Sequence, residues 1–327
     1  MPVADKVYGG TNGQEQSGRL RRLWPIHLWV GLGLGAVFWP VNWCLPGLRT
    51  HWAFFPLWLG YCLTVDGLVA LRKGHSLLVR NGRAYVGLFL VSAPAWWLFE
   101  LFNLRTQNWM YHGVEHFSDL AYFVLCTVSF STVIPAVFGS AELAGTFGWL
   151  RRLGPGPVVV PSRPLLLALF VSGWAMLALL LAWPQYFFPF VWGAVYCILE
   201  PINVWRRQPS LLDYTARGDW RPVLALSVGC LICAWFWEMW NYYSYPKWSY
   251  QIPYVGFLHL FEMPFAVLLE VALQPCGWFA AYMGTALTSD IDLSFRNLGG
   301  TAVHREPVRP SSGTLTTTVT ATKVSST

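Results

Sequence analysis

Eight apolar windows of about 20 residues, each long enough to cross a bilayer as a helix, occupy most of this 327-residue chain. They lie near residues 23–45, 52–71, 84–103, 119–140, 164–184, 187–205, 221–243 and 255–285, the last long enough to hold a break at Pro275. Backbone polar groups in hydrocarbon must be satisfied within the segment, and windows of this length therefore fold as helices. The expected fold is all-α: a polytopic membrane protein with eight transmembrane helices. Composition agrees, with 55% hydrophobic and 12% charged residues, about half the charged share of a soluble domain.

Charge placement supports the count of eight. Basic residues collect on the cytoplasmic side of membrane proteins. Lys6, Arg19, Arg21 and Arg22 precede the first window; Arg72, Lys73, Arg80 and Arg83 follow the second; Arg151, Arg152 and Arg163 follow the fourth; Arg206, Arg207, Arg217 and Arg221 follow the sixth. Arg296, Arg305, Arg309 and Lys323 follow the eighth, leaving only Arg49, Arg105 and Lys247 of the 22 for the other face. The expectation is an integral membrane protein of the plasma or inner membrane with both termini cytoplasmic. The net charge of +6 then reflects topology, and no nucleic-acid partner is implied. The first window resembles a signal anchor, but no small-residue cleavage site follows it, so it should be retained. All seven cysteines fall in apolar stretches and read as small buried hydrophobes.

The linker "LRRLGPGPVVVPSRP" divides the chain, and the halves resemble one another. "FFPLWLGYCLTVDGLVALRKGHSLL" from residue 54 aligns with "FFPFVWGAVYCILEPINVWRRQPSLL" from residue 187, pairing Asp66 with Glu200. "WLFELFNLRTQNWMY" aligns with "FWEMWNYYSYPKWSY", pairing Glu100 with Glu238, Asn103 with Asn241, Trp109 with Trp248 and Tyr111 with Tyr250. Four windows per half preserve orientation, which predicts a parallel 4+4 tandem repeat about an axis along the membrane normal. The expected divisions are a cytoplasmic segment 1–22, a first four-helix repeat 23–145, a linker 146–163, a second repeat 164–288 and a disordered or partner-bound cytoplasmic tail 289–327.

Acids inside spans are costly and usually face an interior where they act. Asp66, Glu100, Glu200, Glu238, Glu262 and Glu270 all fall within the windows, while every Lys and Arg lies outside. A carboxyl group desolvated without a counter-charge favours its neutral, proton-donating form. Glu and Asn at i and i+3 share a helix face, so Glu100/Asn103 and Glu238/Asn241 are expected to form paired polar patches rimmed by Trp96, Trp97, Trp237 and Trp240. Asp66 and Glu200 could equally pair with Arg72 and Arg206. Glu262, beside Pro264, is expected deeper in a bent helix. Gly31 and Gly35 have the spacing of close helix packing. His112, His116 and His259 fall near the outer surface, and the Cys230/Cys233 pair reads as buried packing.

The order over residues 237–270 (an acid after Trp237, then Asn241, Trp248, Tyr250, Gly256, Glu262 and Pro264) resembles the lycopene cyclase domain of the heterodimeric bacterial and fungal type. The family usually has Asp where Glu238 stands, Pro-x-Glu-Glu where this chain has "FEMP", and about three spans per half. The resemblance implies proton-initiated ring closure of a lipophilic polyene in the bilayer: Glu238 or Glu262 donating the proton with Glu100 as counterpart, Asn241 and Asn103 orienting the acids, and Trp237, Trp240, Trp248, Tyr250, Trp97, Trp109 and Tyr111 lining the substrate site. It implies no metal or redox cofactor. A proton-coupled transporter, or an accessory subunit touching a protein partner through the tail, is the competing expectation.

Overall fold

The computed structural model describes residues 24–271. The segment 1–22, the tail 289–327, Pro275, Cys276 and most of the eighth window lie outside the described residues. In chain order come α1 (Ile26–Cys44), α2 (Thr50–Lys73), α3 (Leu77–Arg80), α4 (Gly82–Thr106), β1 (Trp109–His112), a 3₁₀ turn (Val114–His116), α5 (Asp119–Phe130), α6 (Val133–Ala144) and α7 (Gly148–Arg151). After the linker follow α8 (Arg163–Ala182), α9 (Pro184–Phe187), α10 (Phe190–Trp205), α11 (Leu212–Thr215), α12 (Arg221–Tyr242), β2 (Lys247–Tyr250), β3 (His259–Leu260), β4 (Met263–Pro264) and α13 (Phe265–Val271).

The described chain is mostly helical, and five helical stretches are long and apolar enough to cross a membrane: residues 50–73, 82–106, 119–144, 163–182 and 221–242. That is the signature of an integral membrane protein. α10, with 16 residues, is apolar but shorter. Start signals in the sequence set several helix ends: Asn81 Oδ1 accepts from Ala84 N at 3.0 Å, Ser118 Oγ from Ala121 N at 3.3 Å and Ser162 Oγ from Leu165 N at 3.4 Å, each satisfying an otherwise orphaned first-turn donor.

Two expectations about the spans need correction. The fourth is broken: Ser131 and Thr132 separate α5 from α6. The Ser131 and Thr132 hydroxyls bond back to Val128 O and Ser129 O, competing with the helical ladder, and Pro135 cannot donate to the carbonyl four residues before it. Ser92 of α4 fills the gap, donating to Phe130 O at 2.5 Å and accepting from Ile134 N at 3.0 Å. In the eighth window, residues 251–258 form no helix and β3 and β4 follow them, so the helix starts only at Phe265. Pro253 and Pro264 each lack a ladder donor, and Tyr254, Leu258 and Phe261 take positive φ. The all-α expectation is amended by the antiparallel pairs β1–β2 and β3–β4.

Helices approach closely where glycine permits. A Cβ on Gly31 of α1 would fall 2.6 Å from Thr64 Oγ1 and 2.7 Å from Gly60 O of α2, whereas one on Gly35 would meet nothing within 4 Å. Of the expected glycine pair, Gly31 therefore carries the packing. α6 lies at the centre, packed against α2, α4 and α12, and all its residues except Leu143 are buried.

Candidate functional site

The site begins with two asparagines at the ends of long helices. Asn103 of α4 donates through Nδ2 to Trp109 O at 2.8 Å and accepts through Oδ1 from Asn108 N at 2.9 Å and Trp109 N at 3.3 Å. These bonds hold the reversal at Gln107, which has φ 52°, and launch β1. Asn241 of α12 does the same work, donating to Trp248 O at 2.8 Å and accepting from Trp248 N at 3.0 Å. Each asparagine thereby folds a short strand back over its own helix, above the acid one turn earlier.

Glu100 Oε1 accepts from Tyr111 Oη at 2.6 Å, Trp96 Nε1 at 2.9 Å and Trp109 Nε1 at 3.1 Å. Glu238 Oε1 accepts from Tyr250 Oη at 2.7 Å and Trp248 Nε1 at 3.3 Å. Glu238 is 2% exposed, and its Oε2 is buried with no hydrogen-bond partner among the described residues. β1 and β2 pair antiparallel, with Trp109 opposite Tyr250 and Tyr111 opposite Trp248. The two acid units thus stand side by side under one ribbon. Burial, and after it the neighbouring carboxylate, pushes the Tyr111 and Tyr250 hydroxyls well above the usual phenol range, so both phenols keep their protons as donors.

Below the ribbon lies a cavity of about 1540 Å³, mouth included, lined from both sides of the linker. Its wall is mainly apolar and aromatic, with Trp96, Trp109, Tyr111, Trp192, Trp237, Trp248 and Tyr250 contributing rings and Val133, Val137, Cys230, Cys233 and Ala234 the floor between them. Trp96 and Trp237 stack with centroids 5.2 Å apart and planes at 28°. Polar lining comes from Thr50, His51, Asn108, Tyr122, Ser129, Lys247 and Glu270. Glu100 and Glu238 do not themselves line the void; each stands behind the wall, one hydrogen bond from a lining tyrosine.

The expected substrate-contacting residues Trp237, Trp248, Tyr250, Trp109 and Tyr111 are brought together in this wall. Trp97 and Trp240 are not. Trp97 donates to Thr127 at 3.0 Å and stacks on Phe123, while Trp240 is buried among Trp39, Trp58, Tyr61 and Phe236. Glu262 does not sit deep in a bent helix; it is partly exposed in the turn between β3 and β4 and ion-paired with Lys247. Asp66 and Glu200 each bind the backbone of the loop that follows: Asp66 accepts from Ser76 Oγ at 2.5 Å and Leu78 N at 3.1 Å, with His27 at 3.1 Å, and Glu200 accepts from Leu212 N at 2.9 Å. Arg72, the expected partner of Asp66, lies over the Phe147 ring instead. His112, His116 and His259 are exposed.

Sequence reasoning missed Glu142. Its predicted window stopped at residue 140, but α6 continues to Ala144, and Glu142 is 2% exposed. Arg80 grips both its oxygens, at 2.6 and 3.0 Å, and Lys73 adds a contact at 3.3 Å. The expectation that buried acids lack cations therefore fails here, because α3 carries Arg80 back to α6. Trp192 was also missed, although it aligns with Trp58 inside the repeated "FFP" block. No family model matches this chain, and no curated protein or solved structure matches it either.

Proposed function

We propose that this chain is an intramembrane isomerase that closes a ring on a lipophilic polyene by protonating it, with Glu238 as the acid. The observation that carries this reading is the pair Glu238–Tyr250: a buried carboxyl group with one unpartnered oxygen, joined at 2.7 Å to a phenol that lines an apolar, ring-walled cavity. Alkene protonation needs an acid in a water-poor site, and the resulting carbocation needs electron-rich faces that cannot trap it. With Glu238 neutral, its carboxyl hydrogen passes to Tyr250 Oη while the phenol hydrogen moves onto an alkene carbon. A C–H bond forms, the cation closes onto a neighbouring double bond, and a proton lost from an adjacent carbon returns to the carboxylate. Atoms balance and no electrons are exchanged, so the product is an isomer. The void exceeds the roughly 300–1,000 Å³ usual for small-molecule sites, which suits a long substrate entering through the mouth.

The same reading takes the chain as a tandem duplication in which the first copy is the structural one. Its support is the recurrence of contacts at nearly constant separation: Asp66 with Leu78 and Glu200 with Leu212, Asn103 with Trp109 and Asn241 with Trp248, Glu100 with Tyr111 and Glu238 with Tyr250. Glu100 accepts three donors on one oxygen and serves chiefly to hold the ribbon. Eight spans with both termini on the basic, cytoplasmic face complete the proposal.

Expression in a host that accumulates linear polyenes tests it by product analysis. Wild type should yield a cyclised isomer, Glu238→Gln should lose it by at least about 10²-fold, and Glu262→Gln should match wild type. An unchanged isoprenoid profile with wild type would sink the enzyme reading. Proton-driven uptake by reconstituted vesicles, with no new product, would favour the transporter.

A further inference from the structure

The cavity wall holds one polar group that the proposed chemistry does not use. Asn108 lines the cavity and is 5% exposed, yet its side-chain oxygen has no hydrogen-bond partner among the described residues. Its main chain is fully engaged: the amide donates to Asn103 Oδ1 at 2.9 Å, and the carbonyl accepts from Gln251 N at 2.8 Å. The backbone therefore fixes where the carboxamide sits, and the carboxamide takes no part in fixing the backbone. A buried amide oxygen without a donor costs the protein stability. Such a group persists most readily where a ligand supplies the missing donor, since a site built to hydrogen-bond a hydroxyl rejects the analogue that lacks it. The rest of the wall near the ribbon is aromatic and hydrocarbon, which sets the character of the remainder of that ligand.

We infer that the cavity takes a lipophile bearing a hydroxyl group, and that the hydroxyl donates to Asn108 Oδ1. This deepens the proposed function and rests on it: the substrate class becomes an oxygenated, alcohol-bearing polyene in place of a bare hydrocarbon. The hydroxyl fixes which part of the chain lies beside Tyr250, and so which double bond receives the proton. Lys247, the other charged or amide group at the edge of the ribbon, is held by Glu262 and leaves Asn108 as the reader of the hydroxyl.

The test measures binding to the full-length protein in nanodiscs by isothermal titration, using farnesol and farnesene, an alcohol and a hydrocarbon of equal carbon count. One neutral hydrogen bond to a buried acceptor is worth on the order of tenfold in affinity, so farnesol should bind about that much more tightly. Asn108→Leu, which fills the same space without the oxygen, should bring the two affinities together; Asn108→Asp, which keeps an acceptor, should retain a preference for farnesol. A melting curve for each variant establishes that it is folded. Equal binding of the two probes to wild type overturns the inference while leaving the cyclase reading standing. A farnesol preference that survives in folded Asn108→Leu overturns it too, because another group then reads the hydroxyl. Failure of both probes to bind removes the lipophile site itself, and with it the proposed function.

Discussion

Gly229 sits where α12 crosses α6, and replacing it with alanine should separate two helices that together form much of the cavity wall. An alanine Cβ there would stand 2.7 Å from the Ser140 carbonyl carbon and closer still to the nitrogen and Cα of Ala141. Ordinary carbon contacts begin near 3.4 Å, so the helices must part by at least about 0.7 Å at a crossing made of backbone. No side chain can rotate away to absorb that. Overpacking usually costs about 1–3 kcal/mol, and rigid main-chain atoms place this case near the top, at roughly 3 kcal/mol. At about 2–4 °C per kcal/mol for a domain of this size, the melting temperature should fall by roughly 6–12 °C. Val137 of α6 and Cys230, Cys233 and Ala234 of α12 line the cavity, so ligand binding should weaken as well. The control is Gly33→Ala on α1, where a Cβ would meet nothing within 4 Å; helix propensity makes that change neutral to stabilising by up to about 1 kcal/mol. Thermal unfolding in one detergent, followed by circular dichroism, compares them. Equal melting temperatures for the two variants would show that α6 and α12 do not touch through their backbones, and the reasoning would fail.

Two further outcomes follow from the ribbon. Asn103→Ala removes three hydrogen bonds that start β1 and should cost about 2–3 kcal/mol; the matching Asn241→Ala removes bonds from β2, and in both variants amide exchange at the strand residues should accelerate. Tyr111 and Tyr250 have hydroxyl pKa values raised by burial first and by the adjacent carboxylates second. A group raised in the folded state adds stability that is present below its unfolded value, near 10, and is lost as pH climbs from there toward the folded value. Melting temperatures should therefore drop on the alkaline side of pH 10, and the drop should shrink in Tyr111→Phe with Tyr250→Phe; an identical alkaline profile in the double variant would contradict the burial of these phenols.

The order of apolar windows, and hence the membrane-spanning helical character, was legible in the residues because bilayer thickness fixes span length and hydrocarbon forbids unpaired backbone. The recurrence of acid, asparagine, tryptophan and tyrosine was legible too, and the structure turns that spacing into the same hydrogen bonds around Asn103 and Asn241. Period and composition could not show where a helix stops being continuous. The break at Ser131 depends on Ser92, a residue far away in sequence that accepts and donates across it. The eighth window reads as apolar throughout, yet residues 251–264 fold as loop and strands because β2, β4 and their partners supply the bonds a helix would have made. The role of each acid was equally a matter of neighbours. Glu262 and Glu142 look alike in sequence, but Lys247 holds the first at a partly exposed turn, while Arg80 and Lys73 neutralise the second in the core. What the sequence by itself determined was which segments must leave water. Which tryptophans face a void, which acids stand beside a cation, and which amide is left without a donor were decided only by packing, since those contacts join residues that no local pattern relates.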